Sequence, residues 1–176
     1  MRAALAALGI LALAACGSSP TGKSDWELRQ ESAKPPAETA LTLPPYPRRD
    51  LVEFEVAAQQ EFRFFIDPAS VSLAEGRAVR YTLIARSPDG VNNVSYEEMR
   101  CPSVEVRLYA LGKDGAWSLQ PGAWRRIQQS WHAVLHREYF CPLREPIATT
   151  KEGVHALRNG GHPLNRGLTG DVPRGF

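Results

Sequence analysis

Residues 94–111 read Val94-Ser95-Tyr96-Glu97-Glu98-Met99-Arg100-Cys101-Pro102-Ser103-Val104-Glu105-Val106-Arg107-Leu108-Tyr109-Ala110-Leu111, two runs of alternating polarity on either side of Pro102-Ser103. Alternation with period two marks a strand that buries one face, and Pro-Ser between two such runs marks a tight turn. With Pro102-Ser103 as the loop, Cys101 lies opposite Val104 and the pairs continue outward. Arg100 then faces Glu105, Glu98 faces Arg107 and Tyr96 faces Tyr109. Both charged pairs are opposite in sign and share one face, while Met99, Val106, Leu108 and Ala110 collect on the other and suit a core. A longer loop or a bulge would shift this register.

The same period runs outward from the hairpin. Leu51-Val52-Glu53-Phe54-Glu55-Val56 and Phe62-Arg63-Phe64-Phe65-Ile66 read as strands. Ala78–Arg86 sets Val79, Tyr81, Leu83 and Ala85 on one face and Arg80, Thr82, Ile84 and Arg86 on the other. Turn chemistry stands at Asp67-Pro68-Ala69-Ser70, Pro88-Asp89-Gly90, Asp114-Gly115 and Pro121-Gly122. After Trp131 the period fades. Thr149-Thr150-Lys151-Glu152 carries the spacing of a capping box, Val154, Ala156 and Leu157 give a modest apolar stripe, and Asn159-Gly160-Gly161 can end the helix. The expected fold is α+β with β dominant: a meandering antiparallel sheet with one or two short C-terminal helices, folded over residues 51–160. Glycine-rich residues 161–176 read as a loose tail.

Ahead of the domain, Arg2 precedes an apolar run over residues 3–13, too short to span a bilayer but right for the h-region of a signal peptide. The run ends in Leu13-Ala14-Ala15-Cys16, the order of a bacterial lipobox, which makes residues 1–15 the signal and Cys16 the lipidated cysteine. Gly17, rather than Asp, after that cysteine points to the outer membrane, with the chain facing the periplasm. Six of the fourteen prolines fall in residues 17–50, which favours an extended tether, residues 16–50, spanning roughly 30 Å as a coil. Of three cysteines, Cys101 and Cys141 remain to form a disulfide, which persists outside the cytoplasm.

The chemistry is sparse. A formal charge of +2 argues against nucleic acid as a partner. His132 and His136 are four apart, as in zincins, but Ala133 stands where the catalytic Glu is needed, and a third ligand such as Glu138 or His155 is only a guess. Ser70, Ser95 and Ser130 lie in no nucleophile elbow. No dinucleotide, phosphate-loop or calcium-loop motif occurs, so no cofactor or metal is expected. Trp117, Trp124 and Trp131 recur every seven residues, read either as core filling or as an aromatic wall for a glycan or peptide. The strip of Arg80, Tyr96, Glu98, Arg100, Glu105, Arg107 and Tyr109 is the best candidate surface for a partner.

At Phe64-Phe65-Ile66-Asp67-Pro68-Ala69-Ser70, Val79-Arg80-Tyr81-Thr82-Leu83, Asn93-Val94-Ser95-Tyr96-Glu97 and Arg100-Cys101 the sequence resembles the cryptic neisserial protein-like family. The likeness continues through Glu105-Val106-Arg107-Leu108-Tyr109-Ala110, Asp114-Gly115-Ala116-Trp117 and Trp124. The resemblance implies a small envelope protein and brings no catalytic residues with it. The leading expectation is a non-enzymatic envelope lipoprotein, a tethered binding or assembly module for a protein or cell-wall partner. The alternatives are a metal-dependent hydrolase of cell wall or glycan using His132, His136 and Glu138, and a purely structural envelope protein.

Overall fold

A computed structural model of the chain describes residues 41–56 and 61–166. The signal, Cys16 and most of the tether lie outside the described residues, as does the end of the tail. The domain belongs to the unit Thr42–Phe176. Its strands are β1 (Val52–Phe54), β2 (Arg63–Ala74), β3 (Ala78–Arg86), β4 (Asn92–Arg100), β5 (Glu105–Lys113), β6 (Ala116–Leu119) and β7 (Arg125–Arg126). The first six form an antiparallel meander in chain order, and β7 returns to pair with β5 beside the β4–β5 turn. Then follow α1 (Ser130–Val134), a π-helical turn (Leu135–Phe140), a short 3₁₀ turn (Pro142–Arg144), α2 (Thr150–Arg158) and α3 (Pro163–Arg166). The expected β-dominant α+β meander with short C-terminal helices is the observed one. Among the described residues no helix is long and apolar enough to cross a membrane.

The central register matches the sequence reading up to one residue. Arg100 pairs with Glu105, Met99 with Val106 and Glu98 with Arg107, but Tyr96 pairs with Ala110. Tyr109 is an extra residue in β5, a bulge that ends the two-for-two match beyond Leu108. The Asp67-Pro68-Ala69-Ser70 turn likewise makes a bulge rather than ending the strand. Asp67 Oδ1 accepts the Ala69 N–H at 2.9 Å, and the Ser70 hydroxyl donates to the Asp67 carbonyl at 2.7 Å. Ser70 Oγ also accepts the Thr82 N–H at 2.7 Å, replacing a lost ladder carbonyl. The strand continues to Ala74 and reverses at Gly76 and Arg77, both at positive φ. Asp114 (φ 51) and Gly115 (φ 79) form the expected two-residue hairpin turn.

The C-terminal helices cover one face of the sheet. Phe64, Ile66, Val79, Tyr81, Leu83 and Met99 pack there against Leu135, Phe140, Ile147, Ala156 and Leu157. The expected capping box forms: Thr149 Oγ1 accepts the Glu152 N–H at 3.2 Å, while the Glu152 carboxylate reaches back to the Ala148 N–H at 2.7 Å. Gly153 packs where a Cβ would collide with Ile147 Cδ1 and lie 3.5 Å from Val71 Cγ1 of β2, so α2 sits close to the sheet. The opposite face holds a smaller cluster, Phe65, Ile84 and Val94 with Tyr46, Leu51 and Trp117. The last part of the expected tether is therefore part of the domain, because the Tyr46 ring packs 5.3 Å from Trp117, tilted by 52°, and Trp117 Nε1–H donates to the Pro44 carbonyl at 2.8 Å. Of the tail expected to be loose from residue 161, the described part, residues 161–166, is packed on the domain. His162 and Asn165 are buried, and the His162 N–H donates to the Glu138 carbonyl at 2.6 Å.

The expected Cys101–Cys141 disulfide is present, with Cα atoms 5.3 Å apart and 40 residues of sequence between them. It ties the end of β4 to the end of the π-helical turn. Replacing both cysteines by Ala should lower unfolding stability by about 4 kcal/mol, the chain-entropy value for a loop of this length, read from urea unfolding. A difference below about 1 kcal/mol would show that the reduced, unfolded chain already holds these ends together.

Candidate functional site

β4 places two adjacent carboxylates on opposite faces, since side chains alternate across a strand. Glu97 faces the helices and is 7% exposed; Glu98 faces away and is 2% exposed. Buried carboxylates survive only when donors replace water. Glu97 Oε1 accepts from the Ser95 hydroxyl at 2.7 Å, and Oε2 meets the Tyr81 hydroxyl at 3.1 Å and His132 Nε2 at 2.7 Å. Burial alone pushes the Glu97 carboxyl up, but the charge and hydrogen bond of His132, with the Ser95 and Tyr81 hydroxyls, outweigh it and hold the group below its usual range. Burial and the neighbouring Glu97 raise the Tyr81 hydroxyl well above its ordinary value, so it stays a donor.

On the other face Glu98 Oε2 accepts from Arg80 Nε at 2.9 Å, Arg107 Nη2 at 3.2 Å and the Tyr109 hydroxyl at 2.5 Å. Around it a ladder of cations and rings is stacked. The Arg80 guanidinium lies 5.4 Å from the Tyr109 centroid and that of Arg107 lies 4.5 Å from it. Arg107 is also 4.5 Å from the Trp124 centroid, and Arg100 is 4.0 Å from the same ring. Glu105 holds Arg100 at 3.5 Å and accepts from the Ser103 hydroxyl at 2.6 Å. The bulge at Tyr109 brings its hydroxyl onto Glu98. Each cation–ring contact is worth roughly 0.5–1 kcal/mol near a surface, and together they pin Trp124 to the sheet.

Trp124 is the anchor of the segment that follows β6. Backbone bonds tie that segment along β5: the Gln120 N–H donates to the Tyr109 carbonyl at 2.9 Å, the Gly122 N–H to the Leu108 carbonyl at 2.8 Å, β7 pairs with Glu105 and Val106, and the Ile127 N–H donates to the Val104 carbonyl at 3.0 Å. Between this segment, the edge of β5 and α1 lies a cleft of about 690 Å³. Glu97 and His132 lie on its lining, Val106 and Leu108 give an apolar wall, and Gln120, Gln128 and Gln129 supply amides. Arg107, already bonded to Glu98, also lines it, and Arg125 and Arg126 complete the rim. Cleft and ladder are thus built largely on opposite faces of the same strands and meet at Arg107.

The structure assembles the expected polar strip, Arg80, Tyr96, Glu98, Arg100, Glu105, Arg107 and Tyr109, on one face. It is a half-buried, mutually bonded network and not a solvated surface, because its centre, Glu98, is out of reach of water. The three tryptophans do not make one wall. Trp117 packs on Tyr46 and Tyr96, Trp124 on the arginines, and Trp131 stacks 5.1 Å from Phe64 on the helix side. His132, His136 and Glu138 have separate partners: Glu97, the Cys101 carbonyl at 2.9 Å from His136 Nε2, and Arg137. His162 Nδ1 accepts the Leu164 N–H, which leaves Nε2–H to donate to Glu152 at 2.6 Å. Among the described residues no group of three His, Cys, Asp or Glu side chains converges as metal ligands would. No motif or spacing in the sequence marks Glu97, Ser95, Gln128, Gln129 or Arg125 as site residues. The one available signal was a charged residue, Glu97, on the apolar side of the hairpin.

Residues 31–158 match the CNP1-like family, and the chain belongs to it. No curated protein and no solved structure matches the chain.

Two outcomes follow from the buried groups. Glu98→Gln keeps the shape but removes the charge facing Arg80 and Arg107. It should cost about 3 kcal/mol and shift tryptophan emission to the red as Trp124 loosens; an unchanged melt and spectrum would refute the ladder's role. Burial, aided by Arg144, holds the His136 imidazole below its ordinary 6.5 despite its bond to the Cys101 carbonyl. The unfolded ring takes up a proton at a pH where the folded one does not, so stability is full above pH 6.5 and declines beneath it. The depressed carboxyls of Glu97 and Glu152 act only further into acid, below 4.5. His136→Gln should flatten the decline just below pH 6.5 in urea unfolding followed against pH.

Proposed function

We propose that this member of the CNP1-like family is a non-enzymatic envelope lipoprotein, lipid-anchored through Cys16 and facing the periplasm from the outer membrane. Its proline-rich tether holds out a domain that binds a protein or cell-wall partner in the cleft beside β5. The Leu13-Ala14-Ala15-Cys16 motif and the proline-rich stretch after it support the anchor and tether. The observation that carries the binding role is the direction of the hydrogen bonds on the cleft floor. In a serine hydrolase the hydroxyl donates to the imidazole, which the carboxylate orients. Here the Ser95 hydroxyl and the His132 imidazole both bond to Glu97, and neither bonds to the other. That arrangement fixes a surface and activates no nucleophile. The ladder then serves the cleft by clamping Trp124, and with it the outer wall. The hydrolase alternative gains nothing from His132, His136 and Glu138, whose polar atoms are turned to three different partners.

A photo-cross-linking residue in place of Gln129, in the full-length lipidated chain in living cells, should yield a discrete adduct in the membrane fraction. The same residue in place of Leu119, which is 64% exposed on β6 and lies outside the cleft, should not. Trp124→Ala should strongly reduce the Gln129 adduct, and Cys16→Ser should move the protein to the soluble fraction. Equal adducts at both positions, or none, would sink the reading.

A further inference from the structure

The cleft carries more information than that something binds there. Among its described lining residues the only acid is Glu97, whose oxygens already accept from Ser95, Tyr81 and His132. The cations at the rim are different. Arg125 and Arg126 are exposed on the two-residue strand β7, and among the described residues neither guanidinium has an ion-pair partner. The backbone ladder to Glu105 and Val106 holds β7 in place, so the two side chains start from a fixed base. Gln128 and Gln129, also exposed, bring amides that both donate and accept, the complement of a peptide bond. No Trp, Tyr or Phe ring lines the cleft among the described residues, whereas a sugar-stacking platform would present one. A volume of about 690 Å³ is far larger than a lone anion needs and suits a ligand of two to three residues.

We infer that the cleft binds a short acidic peptide, with a ligand carboxylate on Arg125 and the peptide amides on Gln128 and Gln129. This rests on the reading of the cleft as a binding site. A guanidinium takes a carboxylate through two parallel hydrogen bonds, which gives the site both charge preference and direction. Val106 and Leu108 supply the apolar wall for the ligand's aliphatic side chains.

The test is calorimetric titration of the full lipidated chain in detergent with three probes: the tripeptide Ala-Glu-Ala, acetylated and amidated; the neutral tripeptide Ala-Gln-Ala, capped in the same way; and chitotriose. Saturable binding of the acidic tripeptide is expected, weakening on the order of tenfold or more for the neutral one and for Arg125→Ala, the scale of one lost charge-assisted contact. Arg125→Lys should recover part of the loss, and Arg158→Ala, on the far helix, should change nothing. The melting curve of Arg125→Ala should overlay the unmodified protein, since the side chain is exposed. Equal affinity for acidic and neutral tripeptides, an Arg125→Ala protein that binds as before, or no saturable binding of the acidic peptide overturns the inference. Tighter binding of chitotriose or the neutral peptide, lost on Gln129→Ala, overturns the acidic-peptide assignment and leaves the binding module standing; only the cross-linking result decides the module itself.

Discussion

The centre of β4 sets two carboxylates side by side, Glu97 and Glu98, with almost no water on either. Successive strand residues point to opposite faces, so each must find its own donors on its own side of the sheet. A buried carboxylate without partners costs several kcal/mol, and this constraint reaches most of the molecule. On one side Glu97 takes Ser95 and Tyr81 from the sheet and then requires His132, which fixes α1 against β4. On the other, Glu98 takes Arg80 from β3 and Arg107 and Tyr109 from β5. Arg107 reaches on to Trp124, so the segment beyond β6 is held by the same carboxylate that holds the sheet together.

Much of the fold was legible because it rests on local rules. The alternation in Ala78–Arg86 assigns each side chain to the face it occupies, and the opposite signs of Arg100 with Glu105 and Glu98 with Arg107 mark the register they obey. The capping spacing of Thr149 and Glu152 and the Asp114-Gly115 turn are similarly local. Two features escaped because they answer to tertiary partners. Nothing in the one-dimensional pattern announces that Tyr109 is an extra residue, since the bulge exists to deliver its hydroxyl to Glu98 across the pair. Nor does a proline-rich stretch announce that Pro44 and Tyr46 pack on Trp117; proline describes backbone stiffness, not what lies underneath. Gly112 makes that contact possible, because a Cβ there would run into Val94 and the Tyr46 ring.

The site was less legible than the fold. Reading polar residues on a strand as a solvated strip is sound when only one face is covered. Here the second face is partly covered by Tyr46 and Trp124, which come from segments without strand periodicity. The strip then reads as charged residues in sequence and behaves as a half-buried clamp in the structure. Conversely, Glu97 sits on the apolar side of the hairpin, where a carboxylate is out of place unless something pairs with it. Its partner His132 is 35 residues away in a region of weak pattern, so the pairing could not be inferred from spacing.

The placement of cleft and ladder largely on opposite faces gives the two different duties. A guanidinium already shared among Glu98, Tyr109 and Trp124 has little left to offer a ligand, since a new partner must displace an existing one and bear the cost of exposing Glu98. Among the described residues Arg125 has no such commitments, and it is exposed on the two-residue β7. The consumed arginines therefore provide rigidity and the free ones provide recognition. Rigidity matters because ordering a loop on binding consumes affinity, and the Trp124 clamp adds to the backbone ties that fix segment 120–129 before any ligand arrives. Clamping Trp124 in advance transfers that cost from binding to folding, where the disulfide and the packed helices can absorb it.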